Sequence, residues 1–106
     1  MSILNTKDET PNKKEGIYEY LFQNNDPTYN LVKAAEELQE LSLVLLQRVN
    51  KGERISDQQI IDEIGDVKIR VKVLEKMFSK ELVSKRVNKK LTQYQFFIDT
   101  EKHKNI

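Results

Sequence analysis

Two long apolar stretches, each with a pair of carboxylates at helical spacing, constrain the fold of this chain most strongly. Glu37 and Glu40 are three residues apart in KAAEELQEL, and Glu63 and Asp66 repeat that spacing in IIDEIGDV. Residues three apart lie on one face of an α-helix, so each pair directs two carboxylates the same way. The spacing therefore predicts two helices that each present half of an acidic site.

The residues around both acidic pairs are mostly apolar. They are Leu38, Leu41, Leu43, Val44, Leu45 and Leu46 in the first stretch, and Ile60, Ile61, Ile64, Val67, Ile69, Val71, Val73 and Leu74 in the second. A helix that is apolar on more than one face is expected to be buried on more than one face. A carboxylate in such surroundings is unfavourable unless it is paired or bound to a metal. This pattern favours a metal site over a solvated acidic face, and Mg²⁺ is the hard cation that carboxylates and phosphates usually hold.

The composition limits the chemistry that these acids can share. The chain has 106 residues, enough for one domain, with no Cys and a single His103 near its end. Metal sites and catalysis that depend on Cys or His are therefore unsupported. The net charge of +1 argues against a general nucleic-acid binder. No apolar run approaches membrane-spanning length and the first residues lack a signal-peptide pattern, so we expect a cytoplasmic protein without a membrane partner.

Capping patterns indicate where the helices begin. Asp26 followed by Pro27 is typical of a helix start, and Ser56 with Gln59 forms a capping-box pattern. The short link between the first two long helices predicts that they pack antiparallel. The long helices are predicted over about residues 27–50, 56–78 and 84–99. The fold class is therefore all-α, an antiparallel helical bundle.

The ends of the chain are polar and predict little packed structure. Residues 1–14 are expected to form a flexible N-terminal arm, and residues 101–106 a frayed tail. A short aromatic segment around Tyr18 is expected to form a helical turn or two. The helical domain is thus predicted over residues 15–100.

Polar residues near the acidic pairs each have two possible roles. Asn30 and Lys33 continue the face of Glu37. Lys33 either meets a substrate phosphate or forms an ordinary helical ion pair with Glu37. Arg70, one turn after Asp66, either clamps a phosphate or neutralises Asp66, and neutralisation is the favoured interpretation.

The third long helix begins with a basic segment. Its residues are Lys85, Arg86, Asn88, Lys89 and Lys90. A basic cluster opposite an acidic metal site suits the phosphates of a triphosphate. The same residues also suit a solvated face that balances the acids of the other helices. Both interpretations are open on the residues alone.

The order of these motifs resembles that of an enzyme family. Two segments, with 22 residues between Glu40 and Glu63, are similar to the EExxE…ExxD pattern of the MazG-like, all-α nucleoside triphosphate pyrophosphohydrolases: KAAEELQEL and DEIGDVKIRVKVLEKMF. The later RVNKKL resembles the family's basic segment with a central Asn. The resemblance covers residues 27–98. It implies an enzyme that cleaves a nucleoside triphosphate between the α- and β-phosphates, giving the monophosphate and pyrophosphate.

The resemblance also implies roles for individual residues. The residues that match the family's Mg²⁺ ligands are Glu37, Glu40, Glu63 and Asp66. Mn²⁺ is an alternative ion. Glu36, Glu37 or Glu40 would orient the attacking water, with Asp62 beside the ligands. The residues that match nucleotide- or phosphate-binding positions are Asn30, Lys33, Arg86, Asn88 and Lys90. The family often has another Arg after the Asn, where this chain has Thr92, Gln93 and Tyr94.

Assembly follows from the same resemblance. Family members form homodimers or tetramers with sites between subunits, so the bundle is expected to be completed by oligomerisation. The helices, which are too apolar for a monomer, agree with this expectation. Two other classes are kept as alternatives: a non-catalytic helical oligomerisation module whose acids form salt bridges, and a regulatory module that binds nucleotides without hydrolysing them.

Overall fold

Four α-helices make up the part of the chain that the computed structural model describes, which is residues 11–104, with side chains over residues 13–102. They are α1 (Pro11–Asn24), α2 (Pro27–Lys51), α3 (Asp57–Phe78) and α4 (Lys80–Lys104), with a 3₁₀ turn over Gly52–Arg54. No strand occurs among the described residues. The predicted all-α class is confirmed.

Local hydrogen bonds explain where α2 and α3 begin. The Asp26 carboxylate accepts a hydrogen bond of 2.7 Å from the Thr28 N–H. Ser56 Oγ accepts one of 3.1 Å from the Gln59 N–H, and the Gln59 side chain accepts one of 2.8 Å from the Ser56 N–H. These bonds satisfy N–H groups that have no partner within the helix. Both predicted helix starts are confirmed.

The antiparallel packing of α2 on α3 creates the main helix–helix contact. Arg48, near the end of α2, donates to the Ile55 carbonyl at 3.2 Å and lies 2.9 Å from an Asp57 carboxylate oxygen at the start of α3. Val44 of α2 and Val73 of α3 are both buried. The two helices therefore hold the acidic half-sites in fixed register.

The first helix, α1, packs mainly on α3 through charged residues. Lys76 Nζ lies 3.0 Å from the Glu15 carboxylate and 3.1 Å from that of Glu19. Lys72 Nζ lies 5.2 Å from the centre of the Tyr18 ring. These contacts hold α1 against the middle and end of α3.

The N-terminal region is more helical than expected. Helix α1 has 14 residues, where one or two turns were predicted. It includes residues 11–14 of the expected arm, while residues 1–10 lie outside the described residues. At the other end, α4 begins four residues before the predicted position 84 and continues to Lys104. The last two residues of the expected tail also lie outside the described part.

The last helix, α4, packs little on the rest of the chain. Most of its described side chains are exposed, and those that are half-buried are Val83, Lys90 and Thr100. The chain has a radius of gyration of 18.7 Å and extends over 62 × 37 × 33 Å, whereas a compact domain of about 100 residues has a radius of gyration of about 13 Å. A single chain is therefore an elongated, incompletely closed bundle.

Much apolar surface stays exposed in the single chain. The buried apolar side chains of the described region are Ala34, Val44, Ile55 and Val73. By contrast, Leu43 and Leu46 of α2 are 57% and 60% exposed, and Leu91 of α4 is 56% exposed. The expected burial on more than one helix face is thus not reached within one chain. None of the described helices is long and apolar enough to cross a membrane.

Candidate functional site

Three carboxylates meet where α2 lies against α3. One oxygen atom from each of Glu37, Glu63 and Asp66 lies within 4.8 Å of the other two. Glu37 and Glu63 are half-buried, and Asp66 is exposed. Because the two helices are antiparallel, the two half-sites face each other. We call these three residues the carboxylate triad.

Glu40 lies beside the carboxylate triad. Its carboxyl group is close enough to act on that of Glu37 and to help raise the pKa of Glu37. Glu40 also lines a groove of about 340 Å³ that reaches Asp62 and Glu63. The structure therefore brings together three of the four residues that match the family's ligands, and Glu40 lies beside them without joining the triad.

The pKa of Glu37 is raised above its usual value. Burial is the largest cause, because it disfavours the charged carboxylate. Hydrogen bonding by the neutral Glu37 carboxyl group to Glu40 and the negative charges of Glu40 and Asp66 act in the same direction, whereas Lys33 opposes them. A cation between the acids would reverse this effect, since positive charge favours ionised carboxylates. Cation binding is thus expected to lower the pKa of Glu37.

The residues of the triad fit a hard divalent cation. Glu63 Oε2 is shielded from solvent and accepts no hydrogen bond from the described residues. Carboxylate oxygens are the preferred protein ligands of Mg²⁺. Oxygens bound to Mg²⁺ at about 2.1 Å are about 3.0 Å apart when adjacent and about 4.2 Å apart when opposite, so oxygens within 4.8 Å of one another can reach a common ion by shifts of about 1 Å. An unpaired buried oxygen and a ready donor set both suit such an ion.

Lys33 forms a different ion pair from the one considered in the sequence. Its Nζ lies 3.1 Å from the carboxylate of Glu36, and not of Glu37. The hydrogen bond from Lys33 to Glu36 is the largest cause of the raised pKa of Lys33. Glu36 is therefore directed to Lys33 on the exposed side of α2. Asp62 is exposed as well and accepts a hydrogen bond of 2.7 Å from Gln58.

Asn30 is buried where α1 and α2 meet. Only 2% of its surface is exposed. Its Nδ2 donates to the Leu21 carbonyl of α1 at 3.3 Å, while its Oδ1 accepts no hydrogen bond from the described residues. This contact gives Asn30 a role in holding α1 to α2, in addition to the nucleotide contact that the resemblance implies.

The basic segment of α4 forms a separate surface within one chain. Arg86 and Asn88 line a groove on α4, together with neighbouring side chains of the same helix. Lys90 Nζ lies 5.8 Å from the centre of the Tyr94 ring. The groove beside the carboxylate triad contains no α4 residue. A single chain therefore does not bring the basic segment against the acids.

Residues that the sequence interpretation missed or misjudged also lie near the triad. Gln47 and Gln59 line the acidic groove. Helical spacing could have identified Gln59, since it lies one turn before Glu63 and therefore on the same face of α3. Arg70 was expected to neutralise Asp66, but no ion pair joins them in the described region. Its Nη1 is shielded from solvent and donates to no described residue.

Comparison with known proteins identifies no relative of this chain. No protein-family model, curated protein or solved structure matches the chain. The fold and the site define an all-α helical protein with a carboxylate cluster suited to a divalent cation. The MazG-like resemblance stays a prediction that depends on the motifs.

Proposed function

We propose that this protein is a Mg²⁺-dependent nucleoside triphosphate pyrophosphohydrolase that releases pyrophosphate and a nucleoside monophosphate. The observation that supports this most is the carboxylate triad of Glu37, Glu63 and Asp66, which comes from both halves of the resembling motif. Mg²⁺ in proteins is usually held by a few carboxylates together with substrate phosphates. The triad is therefore suited to a metal-bound triphosphate.

The acidic residues divide the chemical work in this proposal. Glu37, Glu63 and Asp66 hold Mg²⁺, or Mn²⁺ in its place. A bound ion supplies positive charge to phosphoryl oxygens and acidifies water. The resemblance implies Glu40 as a fourth ligand, but Glu40 lies outside the triad and lines the groove that Glu63 also lines. In that position Glu40 can orient the attacking water and accept its proton. Glu36 is less suited to this role because it pairs with Lys33.

The complete site in this proposal needs more than one chain. Arg86, Asn88 and Lys90 would contact the phosphates from α4 of a second copy, in a homodimer or tetramer. Support comes from the exposed apolar stripe of α4, in which Leu91 and Tyr94 are 56% and 55% exposed. Opposite charge also favours this contact, since the α4 segment is basic and the triad is acidic.

A non-catalytic oligomerisation module is the second candidate. The exposed apolar residues of α2 and α4 favour it, because extensive exposed apolar surface is typical of interaction sites. In that case the acidic groups would stabilise the assembly without binding nucleotide.

Pyrophosphate release from a panel of ribo- and deoxynucleoside triphosphates tests the proposal. We expect release from at least one substrate with Mg²⁺, and none with a chelator. Glu63→Gln should lower the rate by about a hundredfold or more. Removing even a residue that only hydrogen-bonds a metal ligand lowers metal affinity or activity by about 10- to 100-fold, and Glu63 is a proposed ligand itself. Glu53→Gln, which removes an equal charge from an exposed position, should leave the rate unchanged. Silence across the panel from a folded, assembled sample would favour the oligomerisation module.

A further inference from the structure

Helix α1 packs loosely on the rest of the chain. None of its side chains over residues 13–24 is buried, and the half-buried ones are Tyr18, Glu19, Leu21 and Phe22. A groove of about 160 Å³ lies between α1 and α3, lined by Lys14, Ile17, Tyr18 and Ile69. Closely packed protein interiors leave few gaps of that size. Apolar packing therefore contributes comparatively little to the position of α1.

Lys76 of α3 forms two ion pairs with α1. Its Nζ lies 3.0 Å from a Glu15 carboxylate oxygen and 3.1 Å from one of Glu19, and its side chain is 23% exposed. The hydrogen bond from Lys76 is the largest cause of the lowered pKa of Glu15. Ion pairs that reach solvent weaken as the salt concentration rises. The contact of α1 with α3 should therefore respond to ionic strength.

The start of α2 is stabilised by contacts that do not involve α1. The Asp26 carboxylate accepts a hydrogen bond of 2.7 Å from the Thr28 N–H, and the Asp26 carbonyl accepts one of 3.1 Å from the Asn30 N–H. Pro27, at the first position of α2, has no N–H that needs a partner. Only Asn25 and Asp26 separate the two helices. Helix α1 can therefore pivot at this link while α2 keeps its first turn.

Asn30 is the residue that such a movement would uncover. Only 2% of its surface is exposed. The hydrogen bond of its side chain goes to the Leu21 carbonyl of α1, so α1 forms part of its cover. At 3.3 Å that bond is longer than the usual N–H···O distance of about 2.9–3.0 Å. In this closed arrangement the Asn30 amide is out of reach of any ligand.

We propose that α1 is a salt-sensitive cover of Asn30, held closed by Lys76 and able to open as a unit while α2 and α3 stay packed. The link of Asn25 and Asp26 is its hinge. With α1 open, the Asn30 amide can bind a polar ligand. On the proposed function, on which this consequence rests, α1 controls how a nucleotide reaches Asn30. The cover itself does not depend on the identity of the ligand.

Thiol labelling measures the opening directly, because the chain has no Cys and an introduced thiol is the only one present. Asn30→Cys places that thiol under α1. Adding Lys76→Met, which keeps an apolar stem and removes the charge, should speed its labelling by about threefold or more, as expected for loss of two partly exposed ion pairs. Raising the salt from about 0.05 M to about 0.5 M should act in the same direction, and less so with Lys76→Met.

Two matched controls separate opening of α1 from other effects. Lys68→Met removes the same charge from an exposed position of α3 and should change the labelling of Asn30→Cys by less than about 1.5-fold. Val44→Cys places a thiol in the contact of α2 with α3, where Val44 is 8% exposed. Its labelling should be insensitive to salt and to Lys76→Met.

Three results would overturn the proposal: no acceleration by Lys76→Met, the same acceleration by Lys68→Met, or equal acceleration at Val44→Cys, which would mean that the whole bundle opens. If Asn30→Cys does not fold, hydrogen exchange of the unsubstituted chain takes its place. Amides of residues 18–22 should then exchange faster at high salt, and those of residues 67–74 should not. An equal change in both segments would also overturn the cover.

The pyrophosphate-release assay separates this inference from the proposed function. Labelling that depends on salt and on Lys76, without pyrophosphate release from any nucleotide, would refute the proposed function and support the cover. Pyrophosphate release, with labelling that is unaffected by Lys76→Met, would support the function and refute the cover. Where both hold, Lys76→Met should lower KM, because a larger fraction of the protein is then open to the nucleotide. An unchanged KM would refute control of access by α1.

Discussion

The α2–α3 pair and α4 differ in what their apolar residues contact. Val44 of α2 and Val73 of α3 are 8% and 1% exposed, whereas Leu91 and Phe97 of α4 are 56% and 63% exposed. Both regions are long helices with polar and apolar residues at helical spacing. The comparison teaches that spacing and caps specify a helix, while burial requires a facing surface. For α4, one chain does not provide that surface.

The same difference divides the charges of the candidate site. The acids lie on the packed pair, where Glu37 faces Glu63 and Asp66, and the basic segment lies on α4. Most helix stability in proteins comes from tertiary packing, and the 25-residue α4 has little of it within one chain. Docking of α4 on another copy would stabilise that helix and unite the two charged surfaces in one step.

The largest expected effect comes from placing a charge in each region. Val44→Asp should unfold the chain, because burying an unpaired carboxylate costs several kcal/mol, a large part of the stability of a small domain. Leu91→Asp should leave the α2–α3 pair folded and instead prevent the proposed assembly. Circular dichroism measures helical content, and sedimentation measures the oligomeric state. Loss of helix in both variants, or an unchanged oligomer in Leu91→Asp, would contradict the distinction between the regions.

Addition of Mg²⁺ should stabilise one region before the other. A cation that binds only the folded triad raises the free energy of unfolding by about 2.7 kcal/mol at 100 times its Kd. Hydrogen exchange should then slow in α2 and α3 and change little in α4. Glu63→Gln is the matched variant that should lose this response. Equal protection of all helices, or the same response in Glu63→Gln, would count against a site confined to the triad.

Features that depend on local chemistry could be predicted from the sequence. The start of α3 is specified by Ser56 and Gln59, which are three residues apart within one turn. The structure contains the capping box that they predict. The meeting of Glu37 with Glu63 and Asp66 follows from helical spacing and a short antiparallel link. Each of these predictions uses residues that are close in the chain or related by a simple helix pair.

Features that depend on tertiary contacts could not be predicted in the same way. The contact of Lys76 with Glu19 joins residues 57 positions apart, and no spacing rule identifies that pair. Arg70 shows a second limit. A separation of four residues permits an ion pair with Asp66, but side-chain rotamers and packing decide whether it forms, and here it does not. The exposure of α4 is a third case, since helical spacing predicts an apolar face but not whether another part of the chain covers it.

A change of pH should have a smaller effect on stability, and it should act on the α2–α3 pair through Glu37. Because the folded-state pKa of Glu37 is raised, the folded protein binds more protons than the unfolded chain near that pKa. Its contribution to stability is therefore present at low pH and is lost as pH rises through the folded-state pKa. Without divalent cations, Glu37→Gln should raise the melting temperature at neutral pH and change it little in acid. With Mg²⁺ this difference in melting temperature should disappear, because wild type is then stabilised by the ion and Glu37→Gln lacks one of its ligands.

The smallest expected effect concerns the link between the two regions. Ser79, between α3 and α4, adopts a φ of 120°, which side chains rarely tolerate and glycine does. Ser79→Gly should stabilise the chain by about 0.5 kcal/mol, since relief of strain outweighs loss of the 3.1 Å hydrogen bond that the Leu82 N–H donates to Ser79 Oγ. Ser79→Ala loses that hydrogen bond and keeps the strain, so it should be less stable than wild type. Thermal unfolding of the three proteins measures the order. If Ser79→Gly instead destabilises the chain as much as Ser79→Ala, the hydrogen bond and not the backbone conformation determines how α4 leaves α3.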